Sequence, residues 1–567
     1  MAQQQQNLTF SSPGYFGLNT EESPLNLDPS YALVADNAVV DSNGRIGSRK
    51  AFAEYTTAFN LTYSTDPLTT SEDIQCHSIG AYPVGGNVEV LVTVSVTQQS
   101  AAGAITQQDY FLCKVNNPSS DVFEVDELTI PSLTDASKLT NAQMVLFNDL
   151  FYVFSEGNDP LIYDGSTVEA MSASSGYFAP EDDTGVLAAK VNGDVACAAY
   201  GRLWVTGVEG DYQNIFYSDL LIGNRWFDGK ATVTPGNETS TAGIIDVSEY
   251  WPNGQDRIVG LVAHNNFLLV FGRNSLLVYT GVSEDPAAIG GLTLSDSINN
   301  IGLVSRDAVA RIGSDVIFID DSGLRSLGRT IQEKSAPIGS LSVNIHKDFT
   351  SIIDATENKS TISLSYWISE NLVVAQFAEK STAYVFESRN PAPSGGLKVT
   401  RWTNTNFNRA LFYESGDNAR VLLTGSRNNA GVLEYKEFLE YTNEPYIFKF
   451  ETGQLSFGSP ANKKFLKKID YTLASSFVDA QAVAQWGYNS RLEYSKPFTV
   501  TSTPPALFGQ ALFGVSLFGG AQINIRRYKA NTKGSGENVV IGFRADIKGN
   551  SCSIQEINVQ TLLGRIN

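Results

Sequence analysis

The residues best suited to ligate a metal or attack a substrate are Cys76, Cys113, Cys197, Cys552, His77, His264 and His346. A zinc or disulfide framework needs them clustered, as CxxC pairs or a Cys/His set; here they are scattered and no CxxC occurs. Cys76 and His77 are adjacent, but neighbours on a strand point to opposite faces, which is poor geometry for joint ligation. Buried free thiols are the expectation. His264, between Ala263 and Asn265, reads as a surface or turn histidine.

Nucleophilic catalysis needs a base within hydrogen-bond reach of the nucleophile. The chain has no GxSxG elbow and no GxxxxGK[ST] phosphate loop, and Gly534-Ser535-Gly536 lacks the lysine and helix that would follow one. Glycoside hydrolysis needs two positioned carboxylates. Asp320-Asp321-Ser322-Gly323 is the closest pair, but it is a turn sequence first. Tyr217-Ser218-Asp219, with Gly223 and Trp226, loosely echoes the Ser-x-Asp-x-Gly-x-Thr-Trp turn of sialidase-type propellers, and does so once. Neither Asp182-Asp183 nor Asn26 with Asp28 has calcium-loop spacing. The chain reads as non-enzymatic, with no catalytic residue, cofactor or metal expected.

The elements around these residues are β. Of 567 residues, 42% are hydrophobic and 11% aromatic, enough for a large core; 48 glycines, 24 tyrosines and 31 phenylalanines favour short strands and tight turns. No Lys or Arg precedes Arg45, so a secretory n-region is missing, and no run approaches the roughly 18 apolar residues of a membrane span. A soluble chain made in a cytoplasm is expected, with no membrane span.

Net charge is −20 and uneven: residues 441–567 hold 14 Lys/Arg and 8 Asp/Glu, leaving 26 Lys/Arg against 52 Asp/Glu in residues 1–440. An acidic body argues against a surface that grips nucleic acid, since such affinity comes mainly from neutralising phosphates. It is compatible with a channel through which DNA slides. The basic end could dock on an acidic neighbour, or serve solubility alone.

Between about residues 75 and 440 one pattern recurs: a strand, a polar turn, an apolar central strand, a second turn and a third strand. Examples are QMVLFNDLFYVFSEGNDPLIYD (143–164), IVGLVAHNNFLLVFGRNSLLVYTG (258–281) and AVARIGSDVIFIDDSGLRSLG (308–328). Further units lie at 77–115, 195–219, 361–387 and 409–436. Central strands recur every roughly 45 to 65 residues, near the four-strand blade of a β-propeller. One or more β-sandwiches are the alternative. Residues 340–355 break the pattern: Ile345, Phe349, Ile352 and Ile353 at helical spacing, with Ser340 or Ser342 as cap, predict one amphipathic helix between blades. The organisation expected is an N-terminal arm (1–55), a propeller-like body (56–440) and a C-terminal antiparallel β-domain (441–567).

Inside the last domain Leu-Phe-Gly recurs three times, placing Leu507, Phe508, Leu512, Phe513, Leu517 and Phe518 at a period of five that fits neither a helix nor a strand face. After Pro504-Pro505 it reads as an extended loop whose phenylalanines must be buried, on their own domain or against another subunit.

Residues 14–52, GYFGLNTEESPLNLDPSYALVADNAVVDSNGRIGSRKAF, resemble the opening of nozzle (tail tubular, hub) proteins of short-tailed bacteriophages. Those begin with a Gly-rich start, a Pro-Leu pair, an Ala/Asn-rich stretch and a Gly-x-Ile/Leu-x-x-Arg ending. The matching positions are Gly17, Pro24, Leu25, Ala35, Asn37, Gly44, Ile46 and Arg49. The stretches YSDLLIGNRW, IVGLVAHNNFLLVFGRNSLLVYTG and VIFIDDSGLRSLG are similar to strand-turn runs of the same family, and VVIGFRADIKGNSCSIQEINVQTLLGRI to a tail-protein ending. The resemblance implies a homohexameric ring at the tail tip of the virion. It would sit below portal and adaptor proteins and near tail fibres, its lumen conducting double-stranded DNA without specific binding. A trimeric receptor- or carbohydrate-binding tail protein, or a propeller glycosidase, would be the competing functions.

Overall fold

Each repeat folds into a small antiparallel sheet, because its apolar runs are short and its turns are built from residues that tolerate left-handed backbone. Asn148 and Asp149 have φ of 48° and 60°, and Asn265 has 52°; such values suit tight two-residue hairpins. In the computed structural model, residues 1–4, 42, 67–68, 85–86, 120–121, 176, 178–190, 227–241, 253, 281–291, 333–339, 416–417, 426–430, 477, 502–523 and 567 fall outside the described part.

Among the described residues seven such sheets stand as blades. Blade 1 runs Thr69–Val84, Asn87–Ser100, Ile105–Ser119 and Val122–Glu127 outward, with Thr56–Asn60 added in parallel at the rim. Blade 2 is Gln143–Phe147, Leu150–Phe154, Leu161–Tyr163 and Val168–Ala170. Blade 3 is Val195–Ala199, Arg202–Thr206, Asn214–Tyr217 and Gly243–Asp246. Blade 4 is Ile258–His264, Phe267–Gly272, Ser275–Thr280 and Thr293–Asn299. Blade 5 has three strands, Val309–Ile312, Asp315–Asp320 and Gly323–Ser326. Blade 6 is Ile362–Trp367, Leu372–Phe377, Thr382–Pro391 and Leu397–Thr403. Blade 7 is Phe407–Ser415, Asn418–Gly425 and Val432–Lys436.

The seven innermost strands line one central cavity, and the first strand of blade 7 packs against that of blade 1, closing the ring. The fold is an all-β propeller. Radial packing buries both faces of sheets too small to do so alone, and leaves only short edges. The fourth strand of blade 7 comes from the arm: Ala51–Glu54 pairs antiparallel with Val432–Lys436, so residues far apart in sequence share one blade.

The arm and the C-terminal segment together make a sandwich that grows out of blade 6. Asp36 pairs in parallel with Arg401 at the rim of blade 6. The sheet then continues through Val34–Asp36, Tyr446–Glu451, Val539–Ile547, Ala480–Tyr488 and Arg491–Val500, nine strands in all with blade 6. A second sheet, Ala38–Val40, Ile46–Ser48, Cys552–Ile566, Asn462–Ser475 and Asn524–Asn531, with Gln5–Ser11 beside Cys552–Ile566, packs over it. Its core includes Phe448, Phe450, Ile469, Tyr471, Phe543, Ile554 and Ile557, and is continuous with that of blades 4 to 6.

A short α-helix, Leu327–Gln332, follows blade 5; the expected amphipathic helix spans His346–Ala355, after a 3-10 turn at Val343–Ile345, so it begins later than the apolar spacing predicts. Neither serine caps it; Ser342 Oγ accepts from Leu324 N–H instead. Phe349 stands edge-on to Phe377, Tyr384 and Phe386 of blade 6, with ring centroids 5.6, 5.5 and 5.8 Å away. None of the described helices is long and apolar enough to cross a membrane.

Candidate functional site: the sealed channel of the propeller

The innermost strand of a blade has one edge without a ladder partner, and its N–H and C=O groups need bonds from elsewhere. Side chains of neighbouring blades supply several. Gln143 Oε1 accepts from Ala196 N–H at 2.6 Å, and Asn408 Nδ2 donates to the Cys76 carbonyl at 2.8 Å. Thr424 Oγ1 donates to the His77 carbonyl at 2.8 Å, and Ser363 Oγ to the Asn408 carbonyl at 3.1 Å. His264 Nε2 lies 2.9 Å from the Ser314 carbonyl, joining blade 4 to blade 5. His264 therefore ends a strand beside a turn but is buried rather than on the surface.

At one mouth, where the chain enters the innermost strands, an ion network spans the ring, with Arg306 buried and its partners half-buried. Arg306 lies 3.1 Å from Asp307 and 3.5 Å from Asp194, donates to the Asp194 carbonyl at 2.6 Å, and reaches Asn141 Oδ1 at 3.2 Å. Arg409 donates to Asp307 and to the Ser360 carbonyl, both at 2.8 Å. Five blades are thus tied through two guanidinium groups. Inward of the network lies a cavity of about 460 Å³; Arg306 and Asp307 also border a smaller one of about 190 Å³ with Glu156, Tyr212 and Lys359.

The electrostatics make this a plug rather than a proton shuttle. Burial alone would raise the Asp307 pKa, but Arg306 and Arg409 overcome it and hold the carboxyl down at about 2. Such a group cannot exchange protons near neutrality. Asp194 is raised, chiefly by burial, with Arg306 opposing. His77, whose Nε2 lies 2.8 Å from Ser95 Oγ, is lowered to about 4 by burial and then by the Arg409 charge. Among the residues lining the larger cavity Asp307 is the single carboxylate, so the two-carboxylate geometry of glycoside hydrolysis is not assembled there.

The other sequence candidates are structural. All four cysteines are buried and unpaired; burial lifts the Cys76, Cys197 and Cys552 thiols to about 12 and Cys113 well above its usual value. No group of three or more His, Cys, Asp or Glu among the described residues could hold a metal. Asp320 anchors its own turn, accepting from Ser322 N–H at 2.9 Å and pairing with Arg325, while Asp321 meets Arg273 at 2.6 Å. Ser218 is buried against Leu203 N–H, and Trp226 fills the core between blades 2 and 3. Gly534, at φ +96°, lies in the loop between the strands Asn524–Asn531 and Val539–Ile547. Leu507, Phe508, Leu512, Phe513, Leu517 and Phe518 lie outside the described residues, as do Asp182 and Asp183.

The sequence alone does not mark Arg306, Asp307 and Arg409 as a group. The adjacent Arg-Asp before a strand in VSRDAVA is a weak signal, and only ring closure brings Arg409 to it.

No family model matches the chain, and no curated protein matches it. Solved structures with similarity include an exo-β-1,3-galactanase from Phanerochaete chrysosporium, at 10% identity and TM-score 0.25, covering 86% of this chain and 96% of that one. Hsv2p from Kluyveromyces lactis has 10% identity and TM-score 0.26, covering 58% of this chain and 96% of its own. Scores this low carry no inference about activity.

Proposed function

We propose that the chain is a non-enzymatic structural subunit of a virus particle: the nozzle ring at the tail of a short-tailed bacteriophage, through whose lumen the genome leaves. The carrying observation is where the residues of the N-terminal resemblance sit. Gly17, at φ +79°, passes so close to blade 6 that an added Cβ would lie 2.4 Å from the Val399 carbonyl oxygen. Ala35 and Ile46 are fully buried in the shared core. Asn37 donates to Thr403 Oγ1 and to the Ile447 carbonyl, and accepts from Thr403 N–H and Arg49 Nε. These positions therefore form the clasp joining propeller to sandwich, so the motif that carries the resemblance is tied to this two-part architecture.

The channel geometry fits a conduit only if the lumen lies between copies. A spherical cavity of 460 Å³ would be about 10 Å across, narrower than the roughly 12 Å major groove of B-DNA alone. The ion network also spans its mouth. A ring of copies, with the acidic bodies facing an aqueous bore, lets a polyanion slide instead of stick. Electron microscopy of the intact particle is the test. Six copies around the tail axis are expected; one, three or twelve would overturn the reading.

A further inference from the structure

Two surfaces of the chain are complementary to each other and do not meet within one copy's sheets. Among the described residues Asn524–Asn531 is an edge strand of the sandwich, paired on one side, with Asn462–Ser475. Ile525, Arg527 and Lys529 alternate along it, so they share one face, and all three are exposed. Lys467 is exposed on the neighbouring strand, and Lys468 lies beside it. Edge strands are often guarded by lysine against unwanted pairing. Ile525, 58% exposed, is not what guarding needs.

The opposite surface is the rim of blade 1. Residues 56–128 hold nine Asp/Glu and a single basic residue, Lys114, whose ammonium is 2.6 Å from Glu89. On the outer strands Glu124 Oε2 and Asp126 Oδ1 accept from the Asn60 amide at 3.0 and 2.6 Å, and Asp126 Oδ2 accepts from Asn116 Nδ2 at 3.0 Å. Glu127 accepts from Thr62 N–H at 2.8 Å. These are neutral donors; among the described residues no cation lies within ion-pair distance of the three carboxylates.

We infer that the basic edge strand of one copy docks on the acidic rim of blade 1 of a second copy. The two patches differ, so the contact is head-to-tail, the kind that closes into rings. Individual exposed ion pairs contribute little, so association of two free copies is weak and strengthened when a ring repeats the contact. The ring reading above supplies the number of copies; the pairing of surfaces stands apart from it.

Sedimentation of the isolated full chain at about 100 μM and low salt tests the pairing. The expected result is salt-sensitive self-association. Lys467→Glu with Lys529→Glu should weaken it at least about tenfold; neither lysine forms an ion pair among the described residues, so the fold should tolerate the change. Adding Glu124→Lys and Asp126→Lys to the same chain exchanges the charges and should restore association to within about threefold of the starting value. No association at that concentration would overturn the inference. So would association indifferent to the lysine changes, or a folded fourfold variant that does not recover. A ring of the wrong copy number in the particle would instead strike the nozzle reading and leave this contact to its own result.

Discussion

The guanidinium of Arg49 lies 2.8 Å from the carboxylate of Glu440, with 1% and 11% of the two side chains exposed. Its Cζ is 4.3 Å from the Phe52 ring centroid and 4.2 Å from that of Tyr446, and Tyr446 donates its hydroxyl to the Arg49 carbonyl. One arm residue thus fastens the segment after Val432–Lys436 to the sandwich strand Tyr446–Glu451. Replacing it by Met would strand a buried carboxylate, at a cost of about 3–5 kcal/mol. Lys should rescue little, because it lacks the planar fork and the stacking surface. Chemical denaturation of Arg49→Met, Arg49→Lys and Arg49→Met/Glu440→Gln measures this. The double variant should recover much of the loss; equal loss in single and double variants would mean that the pair contributes nothing.

Phe52 closes blade 7 from the arm. It is buried among Trp402, Phe407 and Tyr435, at centroid distances of 6.0, 5.3 and 6.0 Å. Phe52→Ala should cost about 3–5 kcal/mol. The whole ring should unfold in one step at lower denaturant, since opening that blade opens the circle. A loss below about 1 kcal/mol would show that closure by the arm is dispensable.

His77 gives the propeller an acid-sensitive seam. Its folded pKa, about 4, lies below the unfolded value near 6.5. Between those values the unfolded chain binds the extra proton, so stability rises with pH across the window and is lost as pH falls through it. His77 is half-buried rather than fully enclosed, which reduces the effect to of order 2 kcal/mol. His77→Gln, which cannot ionise, should flatten the dependence of Tm on pH between 6.5 and 4. An unchanged slope would remove His77 as its source.

Asp307 acts lower on the scale. Its folded pKa of about 2 lies below the unfolded carboxyl near 3.9, so its stabilisation is present above about pH 4 and is lost between there and pH 2. Asp307→Asn keeps the shape but leaves Arg306 and Arg409 facing a neutral amide, and should cost about 3–5 kcal/mol at pH 7. Against wild type, the variant should show a shallower loss between pH 4 and 2. Equal stability at pH 7 would mean that the plug is held by the remaining bonds to Asp194, Asn141 and Ser360.

How far these features could be read in advance depends on their range along the chain. The hairpin at Asn148-Asp149 is legible because turn chemistry and period-two alternation are both local. The outer strand Val168–Ala170 is not, being only three residues long, and Gly243–Asp246 is not, because residues 218–242 separate it from the hairpin it joins. The pairing of Ala51–Glu54 with Val432–Lys436 depends on ring closure, and that of Asp36 with Arg401 on the arm docking at blade 6; no window of sequence contains either. The same holds for the plug: Arg306 and Asp307 are neighbours, but Arg409 joins them only through the seventh blade. Arg49, by contrast, is legible as part of a motif, although its partners Glu440 and Tyr446 are not.

The Leu-Phe-Gly segment is the boldest expectation, and it rests on sequence. Pro504 and Pro505 cannot donate ladder hydrogen bonds, so the strand Arg491–Val500 cannot run on through them. In the sequence Phe508, Phe513 and Phe518 recur at a period of five, which matches neither a helix nor a strand face. Burying each would contribute about 2 kcal/mol. A ring would repeat that gain at every subunit, either at an interface or at the closed tip of the bore. Changing all three to Ser should therefore leave the melting temperature of the isolated chain unchanged while the protein fails to join or seal the tail. A drop in the melting temperature of the monomer would assign the three rings to its own core and remove the interface role.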